Sequence, residues 1–327
     1  MSKKAIVLGA GGFIGNHMVD RLKNENYYVV GVDLKNPEFS STGADEFYIQ
    51  DLTHTNEFYE LLNKHKDVTE IYQYAADMGG AGFIFTGDND ADIMHNSCLI
   101  NINLLRGVIR DLDTKNLKIF YSSSACIYPE EIQTSNKNIS LKEIDAYPAN
   151  PDSEYGWEKL FSERLYLTYR KNYGLNTKIA RFHNIYGPLG TWDGGREKAP
   201  AAICRKVAET KNEGTIEVWG DGEQTRSFLY VDDCIEATRR LMSSEVSLPI
   251  NIGSEEMVSI NELVNIVSGH AGKTINIKHI DGPLGVRGRN SNNDLIRSEL
   301  GWDFEVSLSE GINLTYNWIN EQVKNKV

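Results

Sequence analysis

The sequence predicts an α/β fold, a doubly wound parallel sheet followed by a smaller C-terminal α/β lobe, and three observations predict it. Short β-branched runs alternate with longer segments of helical period through the first half of the chain. A glycine cluster separates the first of those runs from the first helical segment. Beyond about residue 184 the alternation gives way to a glycine-rich loop and shorter mixed elements.

Taken in order, "AIVLG" (5–9), "YYVVGVD" (27–33), "EFYIQ" (46–50), "EIYQYAA" (70–76), "LKIFYSSS" (117–124) and "TKIARFH" (177–183) read as strands. Helical period fills 13–24, 54–65, 90–112 and 153–173 between them. A loop at 187–196, a helix near 198–211 and "WGDGEQT", which reads as a hairpin turn, open the second half. The expected division is 1–183 for the first domain and 184–327 mainly for the second. Segments near 230–254, including "INIGS", return to the first.

The 327 residues are 40% hydrophobic and 10% aromatic, enough for a real core. A net charge of −12 opposes partners held by bulk positive charge, so neither nucleic acid nor an anionic membrane is expected, while local basic sites stay open. Cys98, Cys126, Cys204 and Cys234 form no C-x-x-C pair and have no histidine at ligand spacing, which predicts free thiols and no metal site. The N-terminal apolar run, Ala5 to Leu8, is too short for a signal segment, and no stretch nears 18 apolar residues. A cytoplasmic protein is the expectation.

Gly9, Gly11, Gly12 and Gly15 follow the first strand, with Phe13 and Ile14 opening the helix. Such glycines permit a tight turn, close approach of backbone to a pyrophosphate and tight helix packing, with the phosphate charge at the helix N-terminus. Asp33 ends the next strand, eighteen residues past Gly15, where a carboxylate accepts from the adenosine ribose hydroxyls. The same charge repels a 2′-phosphate. Together these predict a Rossmann-type fold binding NAD rather than NADP. Asp51 either reaches the adenine edge or caps the next helix.

Tyr155 and Lys159 share one face of the helix expected after the fifth strand, and that strand ends in Ser122-Ser123-Ser124. A lysine one turn away is expected to draw the phenol's pKa down from about 10, making Tyr155 a general base for an alcohol with Ser124 sharing the proton. Cys126 lies two residues beyond Ser124 and so on the same side of an extended segment. Read without context, that thiol is an inert core residue.

The glycine motif, the serine and Tyr155-x-x-x-Lys159 resemble the extended short-chain dehydrogenase/reductases acting on nucleotide sugars. Longer blocks narrow this: "AADMGGAGFI" (75–84), "SSACIYPE" (123–130), "RFHNIYGPLGTWDGGREKAPAA" (181–202), "WGDGEQTRSF" (219–228), "NIGSEEMVSINE" (251–262) and "GPLGVRGRNSNN" (282–293) are similar to the GDP-mannose 3,5-epimerase family over nearly the whole chain.

That resemblance implies a GDP-sugar substrate, a retained NAD that transiently oxidises the sugar at C4, and epimerisation at C3 and C5. It implies Cys126 and Lys198 as the acid/base pair, one on each face of the carbanion. A free cysteine titrates near pH 8.5 and a free lysine near 10.4, so burial or a charged neighbour has to lower the lysine at least. The resemblance further assigns the sugar to Gly79, Ser124, Ala125, Asn184, Glu197 and Ala199. Lys206, Arg226 and Arg287 are assigned to the diphosphate, with Gln224 and Thr225 as polar contacts. A homodimer through the helices near 90–112 and 153–173 is also implied.

Three alternatives stay open. A 4,6-dehydratase needs an acid pair beside the active serine, where Ala125 and Cys126 stand. A GDP-4-keto-6-deoxymannose epimerase/reductase, or another GDP-hexose or GDP-heptose-modifying dehydrogenase, shares "SSACIYP"; the epimerase/reductase uses NADPH, which Asp33 opposes. A non-catalytic NAD-binding sensor needs no Ser124, Tyr155 and Lys159.

Overall fold

The computed structural model describes residues 3–283 and 285–326; Leu284, in the "GPLGVRGRNSNN" block, lies outside the described residues. The first half runs β1 (Lys4–Leu8), α1 (Phe13–Asn24), β2 (Tyr28–Asp33), β3 (Glu46–Ile49), α2 (Thr55–Lys64), β4 (Glu70–Gln73), α3 (Ala81–Ile84), α4 (Asp90–Asp111), β5 (Lys118–Ser124), α5 (Glu154–Tyr173) and β6 (Asn176–Phe182). The second half runs β7 (Ile185–Tyr186), α6 (Ala199–Glu209), β8 (Thr215–Trp219), β9 (Thr225–Ser227), β10 (Leu229–Tyr230), α7 (Val231–Ser243), β11 (Ile250–Ile252), β12 (Met257–Ser259), α8 (Ile260–Ala271), β13 (Asn276–Ile280), β14 (Gly288–Arg289), α9 (Asp294–Leu300) and α10 (Leu308–Lys326).

Seven parallel strands in the order β11-β6-β5-β4-β1-β2-β3 carry the fold. The alternation of β1 explains the two covered faces. Ala5 and Val7 pack with Met18, Val19 and Leu22 of α1, while Ile6 and Leu8 pack with Phe58 and Leu61 of α2 and Leu104 and Val108 of α4. Burying each such side chain contributes about 1.5–3 kcal/mol, and Leu104→Ala would cost about 2–5 kcal/mol.

The connections reverse between β1 and β4, so their carboxyl ends part there and open the crevice in which ligands of such sheets bind. β4 ends at Gln73 rather than running to residue 76, because the Gln73 side chain turns back: its Nε2 donates to the Ala75 carbonyl at 3.0 Å and its Oε1 accepts from the Ala75 N–H at 3.0 Å.

"WGDGEQT" makes a turn but no hairpin, which corrects the sequence reading. Gly220 and Gly222 take positive φ, 69° and 72°, yet the strands on either side separate: β8 pairs with β13, while β9 lies between β12 and β14. Asn261 holds the turn instead, its Nδ2 donating to the Asp221 carbonyl and the Glu223 carboxylate at 3.0 and 2.8 Å. β11 returns to the main sheet against β6, and α7 lies against α1. Among the described residues no helix is long and apolar enough to cross a membrane.

Candidate active site

At the end of β1 the chain turns sharply. Gly9 holds φ at +83°, and a Cβ on Gly15 would stand 2.0 Å from the Gly9 carbonyl oxygen, so a side chain at 15 would force the helix away from the turn. Gly12 is the N-cap of α1, whose first turn holds no acidic residue and has no side-chain cap, which leaves a helix N-terminus suited to an anion. The ring of Phe13 meets the loop beyond β7 at Gly190.

Asp33 ends β2 with Oδ2 accepting from the Gly11 N–H at 2.9 Å and Oδ1 from the Leu34 N–H at 2.7 Å. Burial raises its pKa above the usual carboxylate value, against the pull of those N–H groups. Lys35, two residues on, forms an exposed ion pair with Glu38 at 2.9 Å. These residues fit NAD. Asp51 is occupied by its own turn: Oδ1 accepts from the Thr53 N–H and hydroxyl at 2.9 and 2.7 Å. It caps that turn, whereas the N-cap of α2 is His54.

Ser153, the N-cap of α5, accepts from the Gly156 N–H at 3.3 Å. This start sets Tyr155 and Lys159 beneath the end of β5. The Lys159 ammonium donates to the Ser122 carbonyl at 3.0 Å and lies 5.6 Å from the Tyr155 ring centroid. Tyr155 packs with Phe83, Ile84 and Ile93, and Cys126 lies against that cluster.

The phenol does not titrate as the sequence suggested. Burial pushes Tyr155 up, the Cys126 and Glu158 charges add to this, and only Ser124 pulls it down. Lys159 itself is lowered by burial, which limits what its charge does for the phenol.

Cys126 does not continue an extended segment from Ser124, a second correction. Ala125–Ile127 form a turn of 3-10 helix, and the Ser124 hydroxyl accepts the Cys126 N–H at 3.2 Å. Serine caps the turn and so fixes the Cys126 backbone against the Ser124 hydroxyl. A Cβ on Gly156 would come within 2.2 Å of the Cys126 carbonyl oxygen, so α5 seats directly on this turn.

Lys198 is the N-cap of α6, followed by Ala199 and Pro200. The Gly80 N–H donates to the Arg196 carbonyl at 3.0 Å and Arg196 covers the Phe83 ring at 4.1 Å, so the loop with Gly79 clasps the loop with Lys198. Burial lowers the Lys198 pKa, against Cys126 and Cys234. Glu197 is anchored by Arg205 at 3.1 Å and by the Gly195 N–H at 2.6 Å. Asn184, at φ 47°, donates from Nδ2 to the Ser227 carbonyl at 2.9 Å.

The proposed diphosphate residues divide. Arg226 is half-buried beside Arg289, and desolvation with that neighbour brings it down to about 10. Gln224 donates to the Trp219 carbonyl at 3.1 Å, leaving its buried Oε1 without a partner among the described residues, and Thr225 donates to the Asn136 carbonyl at 3.0 Å. Lys206 donates to the Glu217 carbonyl at 2.6 Å. Arg287 is engaged elsewhere, both arms of its guanidinium on the exposed Asp221 at 2.8 and 3.0 Å.

Sequence reasoning missed Arg289, two residues on. It is buried, and its Nη1 donates to the Cys126 sulfur at 3.1 Å, its Nε to Gln133 at 2.6 Å and its Nη2 to Asp152 at 2.7 Å. Burial draws its pKa down, but Cys126 and Asp152 outweigh that and the net shift is upward. The "VRGR" run offered two arginines and no local signal to choose between them.

Known proteins identify the family of the chain. Residues 5–253 match the family model described as the NAD dependent epimerase/dehydratase family. The chain is 48% identical to GDP-mannose 3,5-epimerase of Arabidopsis thaliana over 98% of its own length and 83% of that protein. It is 47% identical to GDP-mannose 3,5-epimerase 1 of Oryza sativa subsp. indica over 97% of its length and 82% of that protein. Among solved structures, UDP-glucuronic acid 4-epimerase from Bacillus cereus, in complex with UDP-glucuronic acid and NAD, superposes with a TM-score of 0.82 at 27% identity, covering 98% of this chain and 99% of that one. The chain therefore belongs to the NAD-dependent epimerase/dehydratase family, among the GDP-mannose 3,5-epimerases.

Proposed function

We propose that the chain epimerises GDP-mannose at C3 and C5, giving the L-galactose and L-gulose forms, with Cys126 and Lys198 as the acid/base pair. The observation that carries this reading is that Cys126 lies within electrostatic reach of Tyr155, Lys159 and Lys198 together. An epimerisation needs two proton-transfer groups besides the alcohol base, and an inert thiol has no use for such company. When bound, NAD supplies reversible oxidation at the sugar C4, which acidifies the protons at C3 and C5.

In this reading Tyr155 takes the proton of the C4 hydroxyl and returns it at the end, its burial-raised phenol brought down by Ser124 beside it and by the positive charge that oxidised NAD would bring to the site. Lys159 orients the nicotinamide ribose. Lys198, whose pKa burial lowers, serves as the proton-transfer group on one face of the ring, and Cys126 exchanges a proton on the other. Arg226 and Arg289 add positive charge, so a protein of net charge −12 offers a diphosphate a basic site. We read 1–183 as the NAD-binding part and 184–327 as mainly the GDP-sugar part. We further read the protein as a cytoplasmic homodimer: its four cysteines are free, and Trp157 and Phe161 lie exposed one turn apart on α5.

The test is incubation with GDP-mannose in D2O followed by NMR of the recovered sugar. Deuterium at C3 and C5 with new L-configured products is expected. Recovery of undeuterated GDP-mannose alone would overturn the proposal.

A further inference from the structure

The thiol, the arginine and the start of α5 form one chain of contacts. Arg289 spans from the Cys126 sulfur at 3.1 Å to the Asp152 carboxylate at 2.7 Å, and both Arg289 and Asp152 have side chains only 4% exposed. Asp152 immediately precedes the N-cap of α5, and its other oxygen accepts from the Ser153 hydroxyl at 3.1 Å. One carboxylate thus ties the Cys126 turn to the helix bearing Tyr155 and Lys159.

The charges around Cys126 are unequal. Tyr155 and Lys159 face it from α5, Lys198 from the start of α6, Arg226 from β9 and Arg289 from β14. Asp152 acts on both arginines of that group and is bonded to Arg289 at 2.7 Å. Without it, two guanidiniums and two lysine side chains would bear on one sulfur, and added positive charge favours a thiolate over a thiol. A group that must both take and give a proton cannot be locked in one state.

We propose that Asp152 is a positioning residue for the epimerisation: through Arg289 it fixes the Cys126 sulfur and keeps its proton exchangeable. This rests on the reading of Cys126 given above. Asp152→Asn retains an oxygen for Nη2 and removes the charge, while Asp152→Glu retains the charge.

The experiment measures iodoacetamide alkylation of Cys126 against pH, followed by mass spectrometry of its peptide, in the full-length protein. Asp152→Asn should move the alkylation midpoint down by about one pH unit and move the pH optimum of deuterium exchange in the same direction, while Asp152→Glu stays near wild type. Should Asp152→Asn not fold, Asp152→Ser carries the same test, since its hydroxyl accepts without charge. An unchanged midpoint and optimum in a folded uncharged variant would overturn the inference and make Asp152 a purely structural ion pair. Cys126→Ser, run alongside, separates the two proposals: retained exchange there defeats the acid/base reading itself, whereas lost exchange with an unshifted Asp152→Asn defeats only this one.

Discussion

Arg289 Nη1 lies 3.1 Å from Cys126 Sγ, joining the β14 strand near the C-terminus to the turn after β5. The contact gives the Cys126 sulfur a charged, buried partner, which a thiol packed only among apolar neighbours would lack.

Asp33→Asn should weaken NAD and relax the exclusion of NADP. The carboxylate is already oriented by the Gly11 and Leu34 N–H groups at 2.9 and 2.7 Å, so a ribose meets it preformed. Calorimetric titration of both dinucleotides checks this. A wild-type preference for NADP would contradict the assignment.

Tyr155→Phe should suppress C4 oxidation and, with it, every later step, by about 10²–10⁴ in rate. The ring keeps its place among Phe83, Ile84 and Ile93, so folding and GDP-mannose binding should persist. The cofactor absorbance change on adding substrate is the readout. A wild-type change in the variant would remove Tyr155 from its role.

Acid should destabilise the protein through His183. Burial lowers its pKa from 6.5 to about 3, with Arg289 and Arg181 adding to this against the Asn251 hydrogen bond. The unfolded chain takes up that proton near pH 6.5 and the folded one resists it to about pH 3. Stability is therefore whole above the upper value and declines by about 1.4 kcal/mol per pH unit below it. Urea midpoints recorded across that range should fall less steeply for His183→Gln, and equal slopes would contradict the account.

The sheet was legible because its strands keep a two-residue period and its helices a period near four, as Ala5 and Val7 against Ile6 and Leu8 illustrate. The cofactor turn was legible because close backbone approach leaves only glycine at 15. What stayed hidden depended on long-range partners. The choice between Arg287 and Arg289 is made by Asp221 and Asp152, sixty-six and one hundred and thirty-seven residues away. Asp152 itself reads as a residue of the turn before α5, and the separation of β8 from β9 depends on β13 and β12, beyond any local pattern.

The central claim is that Cys126 exchanges a proton with the keto-sugar. Its most direct test is deuterium uptake at C3 and C5 of GDP-mannose by Cys126→Ser in D2O, read by NMR beside the cofactor absorbance and with Lys198→Arg in parallel. Serine removes little volume but is far too weak a base to replace the thiol, and arginine keeps the charge of Lys198 without its titration. The account predicts that both variants retain the absorbance change of C4 oxidation and lose about 10²–10⁴ in exchange rate. Wild-type exchange and epimer formation in Cys126→Ser would contradict it.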